Sequence, residues 1–159
     1  KNLSKTKKGK RNMSDLDIKK IIEIDASPEV IFKAISDPAE LTNWFPDAAI
    51  LEPVVGGKTK FSYYKDSKRT TTCARDHDKV NEGKVLEFVK NKKLAYTWRH
   101  TDVPDFPETV VTWELEEISK NKTRLTLTHT GFTSKDQVKD HFEGWSFFLN
   151  ELAVYCKRK

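Results

Sequence analysis

The residues from Lys135 to Lys157 constrain this chain more than any other stretch. Val138, Phe142, Trp145, Leu149, Leu152 and Cys156 recur at steps of four and three, the spacing that gathers apolar side chains into one stripe along an α-helix. Ser134 stands just before them, in the place of an N-cap. About 20 residues of helix measure roughly 30 Å, so the stripe needs an apolar partner of similar length.

The preceding residues supply one. From Ala49 to about Phe132 the apolar period is two, interrupted by turn chemistry, which predicts a meandering antiparallel sheet. Thr59, Phe61 and Tyr63 share a face of one strand, and Leu94, Tyr96 and Trp98 a face of another. The clearest pair is Thr109 to Ile118 with Thr123 to Thr130: Val111, Trp113 and Leu115 face inward on the first, and Leu125, Leu127 and His129 on the second. Asn121-Lys122 marks the turn between them, Lys90 to Lys93 a second hairpin turn, and the prolines of Asp102 to Pro107 a loop at one end of the sheet. Lys65 to Asn81 is polar and reads as a long exposed loop.

Ahead of the sheet, Asp17 to Asp25 reads as a strand with Ile18, Ile22 and Ile24 on one face. Ser27-Pro28 starts a short helix to Ser36, its apolar side made by Ile31, Ala34 and Ile35. Asp37-Pro38 starts another, through Leu41 to Trp44, with Glu40 placed as in a capping box. The layout is α+β: a curved antiparallel sheet wrapped around the terminal helix, with two short helices after the first strand.

A chain of 159 residues can bury one core without staples. Residues 17–159 are expected to form that single domain, and residues 1–16 a basic, disordered tail. Six cations and no acid lie in the first twelve residues; without those six, 23 of the 29 basic side chains remain against 24 acidic ones. The basicity therefore belongs to the tail, and no specific nucleic-acid partner is expected. The cluster of Lys58, Lys60, Lys65, Lys68 and Arg69 beside Thr70, Thr71 and Thr72 reads as a solvated edge. No apolar run is long enough to span a bilayer or to act as a secretory signal, which points to the cytoplasm. Two cysteines, Cys73 and Cys156, far apart in sequence, fit reduced thiols.

The segments IEIDASPEVIFKAISDPAELTNWF at residues 22–45, LAYTW at 94–98, TVVTWEL at 109–115 and TRLTLTHTGF at 123–132, with Gly83-x-Val85 and Gly144-Trp145, resemble the SRPBCC (START-like) superfamily. Within it they are similar to the branch of the activator of heat shock protein 90 ATPase. The resemblance implies a helix-grip domain with a cavity between sheet and terminal helix, in a superfamily whose members bind apolar ligands. It also implies a possible chaperone partner and a stress-response setting. Named activators carry an additional N-terminal domain that engages the chaperone, whereas sixteen residues precede the first strand here.

Binding is expected over catalysis, because no nucleophile, base and orienting group stand together. The expected ligand is a small apolar or amphipathic molecule, with Trp44, Phe45, Phe61, Tyr63, Tyr96 and Trp98 as walls on one side. Trp113, Phe142, Trp145 and Leu149 complete the lining. His129 is either a polar contact for the ligand or a core histidine satisfied by a neighbouring hydroxyl or backbone group. Glu87 shares parity with Val85 and Val89, against Leu86 and Phe88, and the pattern leaves open which set faces in. Were it inside, Glu87 and His129 would form an acid–base pair, and the domain an enzyme of the cyclase, aromatase or dehydratase type. Cys73, Asp76, His77 and Asp78 carry metal-capable donors, but alternating charges in a polar loop are ordinarily solvated. Neither metal nor cofactor is expected.

Overall fold

The computed structural model describes residues 14–67 and 77–159. The basic tail through Met13, and the span of Lys68, Arg69, Thr70 to Thr72, Cys73 and Asp76, fall outside the described residues. Strand β1 (Ile18–Ile24) leads to helices α1 (Pro28–Ser36) and α2 (Pro38–Leu41). Strands β2 (Ala48–Leu51), β3 (Lys58–Tyr63), β4 (Lys79–Val89), β5 (Lys93–His100), β6 (Thr109–Ser119) and β7 (Lys122–Thr130) follow, and α3 (Lys135–Lys157) closes the chain. The seven strands form one sheet in the order β1-β7-β6-β5-β4-β3-β2, and the paired strands run antiparallel. This is the helix-grip α+β architecture: six strands meander, and β1 adds itself beside β7.

Local chemistry sets the boundaries. Ser27 accepts from the Val30 amide and Ser134 from the Gln137 amide, each satisfying an N–H that the first helical turn leaves open. The turns at Asn91 and Asn121 place both asparagines at positive φ, which Asn tolerates better than most residues. At Gly83 a side chain has no room, since its Cβ would lie 1.8 Å from the Thr97 carbonyl oxygen. The neighbouring Lys84 amide donates to Thr97 Oγ1 at 2.8 Å.

Four expectations need correction. Strand β4 begins at Lys79, inside the span read as loop, because Val80 and Asn81 pair with Ser62 and Phe61 of β3. Helix α2 stops at Leu41, although the Phe45 amide still bonds back to the Leu41 carbonyl at 2.9 Å. Glu40 does not close a capping box: the Asp37 amide already serves the Lys33 carbonyl at the end of α1, and Glu40 accepts from the Tyr155 hydroxyl at 2.6 Å. Phe142 lies outside the core, 46% exposed, with the Lys20 ammonium 4.0 Å from its ring centre. The side chains of α3 that are buried are Trp145, Leu149, Leu152 and Cys156.

Candidate functional site

Between the concave face of the sheet and α3 lies an interior made mostly of rings. Phe45, delivered by the turn after α2, sits at its centre. Its ring centroid is 5.7 Å from Phe61, 5.9 Å from Tyr63, 6.3 Å from Trp98, 5.4 Å from Trp145 and 4.9 Å from Phe148. Trp113 stands edge-on to both Trp44 and Trp145. Trp44 and Trp113 find partners for their indole N–H groups in the Ala34 carbonyl and the Tyr96 hydroxyl, at 2.9 and 3.0 Å. Burial raises the Tyr96 phenol above its ordinary range, so it stays protonated. Of the wall residues named from sequence, all but Phe142 are buried.

His129 is fully enclosed and held in one tautomer. The Trp145 indole can only donate, and does so to His129 Nδ1 at 3.0 Å. The ring proton therefore resides on Nε2, which donates to Thr109 Oγ1 at 2.8 Å, and the Thr109 hydroxyl donates in turn to the Trp98 carbonyl at 2.6 Å. Every donor in this run of hydrogen bonds has an acceptor. Desolvation, with His141 and His100 close by, lowers the pKa of His129 well below that of a free imidazole. It is a satisfied core histidine.

Elsewhere in the interior the accounting does not close. Thr59 Oγ1, Asn81 Nδ2 and Trp98 Nε1 are buried with no hydrogen-bond partner. Phe61 relates them: Thr59 is two residues before it on β3, Asn81 pairs with it from β4, and the Trp98 ring of β5 lies 6.2 Å from its ring. The Tyr63 hydroxyl occupies Asn81 Oδ1 at 2.8 Å, leaving the amide N–H groups unused.

At the open end of the sheet a second polar group gathers. His100 Nε2, from the end of β5, is 3.0 Å from His141 Nε2 on α3, and His141 Nδ1 bonds to the Gln137 carbonyl at 2.9 Å. Asp102 Oδ1 is 3.7 Å from His100 Nδ1 and accepts from the Val80 amide at 3.1 Å; Asp102 Oδ2 is 3.0 Å from His77 Nε2. Burial and the neighbouring His141 push His100 down to about 4, against the opposing pull of Asp102. Among the described residues no group of three or more side chains converges as metal ligands.

The sequence matches the family described as Activator of Hsp90 ATPase homolog 1-like protein over residues 25–157. The chain belongs to that family. The solved structure of protein CV1439 from Chromobacterium violaceum shares 21% identity at a TM-score of 0.76, covering 90% of this chain and 98% of that one. An HSP90 activator from Plasmodium falciparum shares 24% at 0.68, covering 87% and 94%. The Aha1 dimer from Colwellia psychrerythraea shares 25% at 0.67, covering 88% and 95%. No curated protein matches in sequence.

In this member of the Hsp90-activator-like family, the acid–base pair considered from sequence does not assemble. Strand β4 carries an irregularity between Val85 and Glu87 that resets its alternation. Val85 and Phe88 face the core, while Glu87 points outward and pairs with Lys93 at 2.9 Å. The sequence reading missed His100 and His141, although both signals were present. His100 continues the parity of Leu94, Tyr96 and Trp98, and His141 precedes Trp145 by one helical turn. No helix among the described residues is long and apolar enough to cross a membrane.

Proposed function

We propose that this domain is a cytoplasmic binding protein for a small molecule with an apolar body and a neutral hydrogen-bond acceptor, held between the sheet and α3. The observation that carries this reading is the set of unpartnered polar atoms around Phe61: Trp98 Nε1, Asn81 Nδ2 and Thr59 Oγ1. An unmet buried donor costs about 1–3 kcal/mol, so a chain gains by accepting a molecule that meets it. Two of the three groups are donors only, which calls for an acceptor. Among the described residues no Lys or Arg is buried, and an anionic head would be left as an uncompensated charge. A carbonyl attached to an aromatic or aliphatic body fits both conditions. Uptake requires the rings around Phe45 to part.

The test is titration with a panel of aromatic ketones and esters, followed by tryptophan fluorescence. The expected result is saturable binding that Trp98→Phe and Asn81→Ala each weaken about ten-fold, the equivalent of about 1.4 kcal/mol, while Glu87→Gln leaves it unchanged. Binding indifferent to both interior changes would overturn the assignment.

A second reading follows from family membership: a module that engages an Hsp90-type chaperone. Stimulation of the chaperone's ATPase by the wild type, retained in Trp98→Phe, would favour it over ligand binding.

A further inference from the structure

All four histidines of the chain lie in or against one group: His77, His100, His129 and His141. His129 is fully engaged by Trp145 and Thr109. The pair His100 and His141 is different, because its surroundings favour a tautomer that leaves two lone pairs face to face.

A backbone carbonyl can only accept, so the Gln137 carbonyl places the His141 proton on Nδ1 and leaves Nε2 as a lone pair. On His100, Nδ1 faces the Asp102 carboxylate at 3.7 Å, which likewise favours a proton there. With both protons so placed, the two Nε2 lone pairs oppose each other across 3.0 Å and need a positive centre between them. The alternative leaves His100 protonated on Nε2, donating to His141, with its Nδ1 lone pair turned toward a carboxylate.

The geometry points to His100 Nε2 and His141 Nε2 as two ligands of a divalent transition-metal ion, with water completing its coordination. The outer partners resemble those of metal-bound histidines: His141 is hydrogen-bonded to a backbone carbonyl, and the Asp102 carboxylate stands 3.7 Å from His100 Nδ1. Two nitrogens bound at about 2.0–2.1 Å to a tetrahedral ion stand about 3.3–3.4 Å apart. The observed separation therefore has to widen by only a few tenths of an ångström. His100 and Asp102 keep 13% and 12% of their side-chain surface exposed, which gives water access. Trp98 and Phe106 pack edge-on or tilted against the pair as an apolar shell. Asp102 and Asp140 contribute negative charge and Lys79 opposes it. Imidazole donors suit zinc, copper and nickel.

The experiment is zinc titration of the full chain at neutral pH, read by the imidazole ¹⁵N resonances and by calorimetry. One ion per chain is expected, with the His100 and His141 signals shifting and those of His129 unmoved. His100→Asn and His141→Asn should each weaken binding at least ten-fold. Asp102→Asn, acting through the orientation of His100, should cost about ten-fold. Because the resonances are read on the wild type, a variant that fails to fold does not weaken the test. Zinc that binds without moving the His100 and His141 signals overturns the proposal, and so does the absence of binding at millimolar zinc. Ketone binding is a separate readout, so this site and the interior one fail independently.

Discussion

Trp98 belongs to two neighbouring regions built on opposite principles. On one side, Trp145, His129, Thr109 and the Trp98 carbonyl form an unbroken run of hydrogen bonds in which each atom has its partner. On the other, the Trp98 indole N–H, the Asn81 amide nitrogen and the Thr59 hydroxyl are just as buried and have none. Both regions use polar side chains on the inner face of a sheet, among aromatic rings. The difference shows that polarity in this core serves two ends: the closed run fixes how α3 seats on the sheet, and the open set is available to a guest.

The comparison breaks most visibly at Trp145. Trp145→Phe keeps a ring but leaves His129 Nδ1 unpaired, and should cost about 1–3 kcal/mol; Trp145→Ala adds a cavity and should cost about 3–5 kcal/mol. Urea denaturation measures both, and equal losses would mean that the hydrogen bond carries the whole effect.

Acid should act next, through the closed run. His129 has a depressed pKa in the folded state, so the unfolded chain binds the proton more readily, near pH 6.5. Its contribution is complete above about pH 6.5 and is lost as pH falls below it, at up to about 1.4 kcal/mol per pH unit. Thermal unfolding followed from pH 7.5 to 5.5 should show this decline, with the buried His100 and His141 adding to it in the same direction, and a flat profile would mean that the rings accept charge where they sit. The smallest effect belongs to the open set. Trp98→Phe removes a donor that has no acceptor, which offsets the packing lost with the smaller ring, so the free protein should lose about 1 kcal/mol less than Trp145→Phe costs. A loss resembling that of Trp145→Phe would mean that the Trp98 indole is already satisfied.

Much of the fold could be read along the chain because it depends on short-range rules. Ser27 and Ser134 cap the helices they precede, and Lys135 to Lys157 is helical over the span marked by its apolar steps. Tyr96, Trp98, Val111, Trp113, Leu125 and Leu127 are all buried as two-residue alternation requires. Alternation failed at Glu87, where the irregularity after Val85 shifts one strand against its neighbour; neither strand reveals such a slip alone.

The amino-acid order by itself determined which segments become helix or strand and which face of most of them is apolar, since both follow from residues within a few positions of each other. Only the tertiary structure decided that His141 faces inward where Phe142 was expected, and that His100, Asp102 and His141 meet. A helical stripe specifies a direction only to within about one residue, 100° of turn. The final choice depends on what the sheet presents: the Trp98 and His129 rings beside His141, and the Lys20 ammonium at the edge beside Phe142. Which donors find acceptors is settled in the same way, by strands distant in sequence, and that is why the closed run and the open set look alike until the chain is folded.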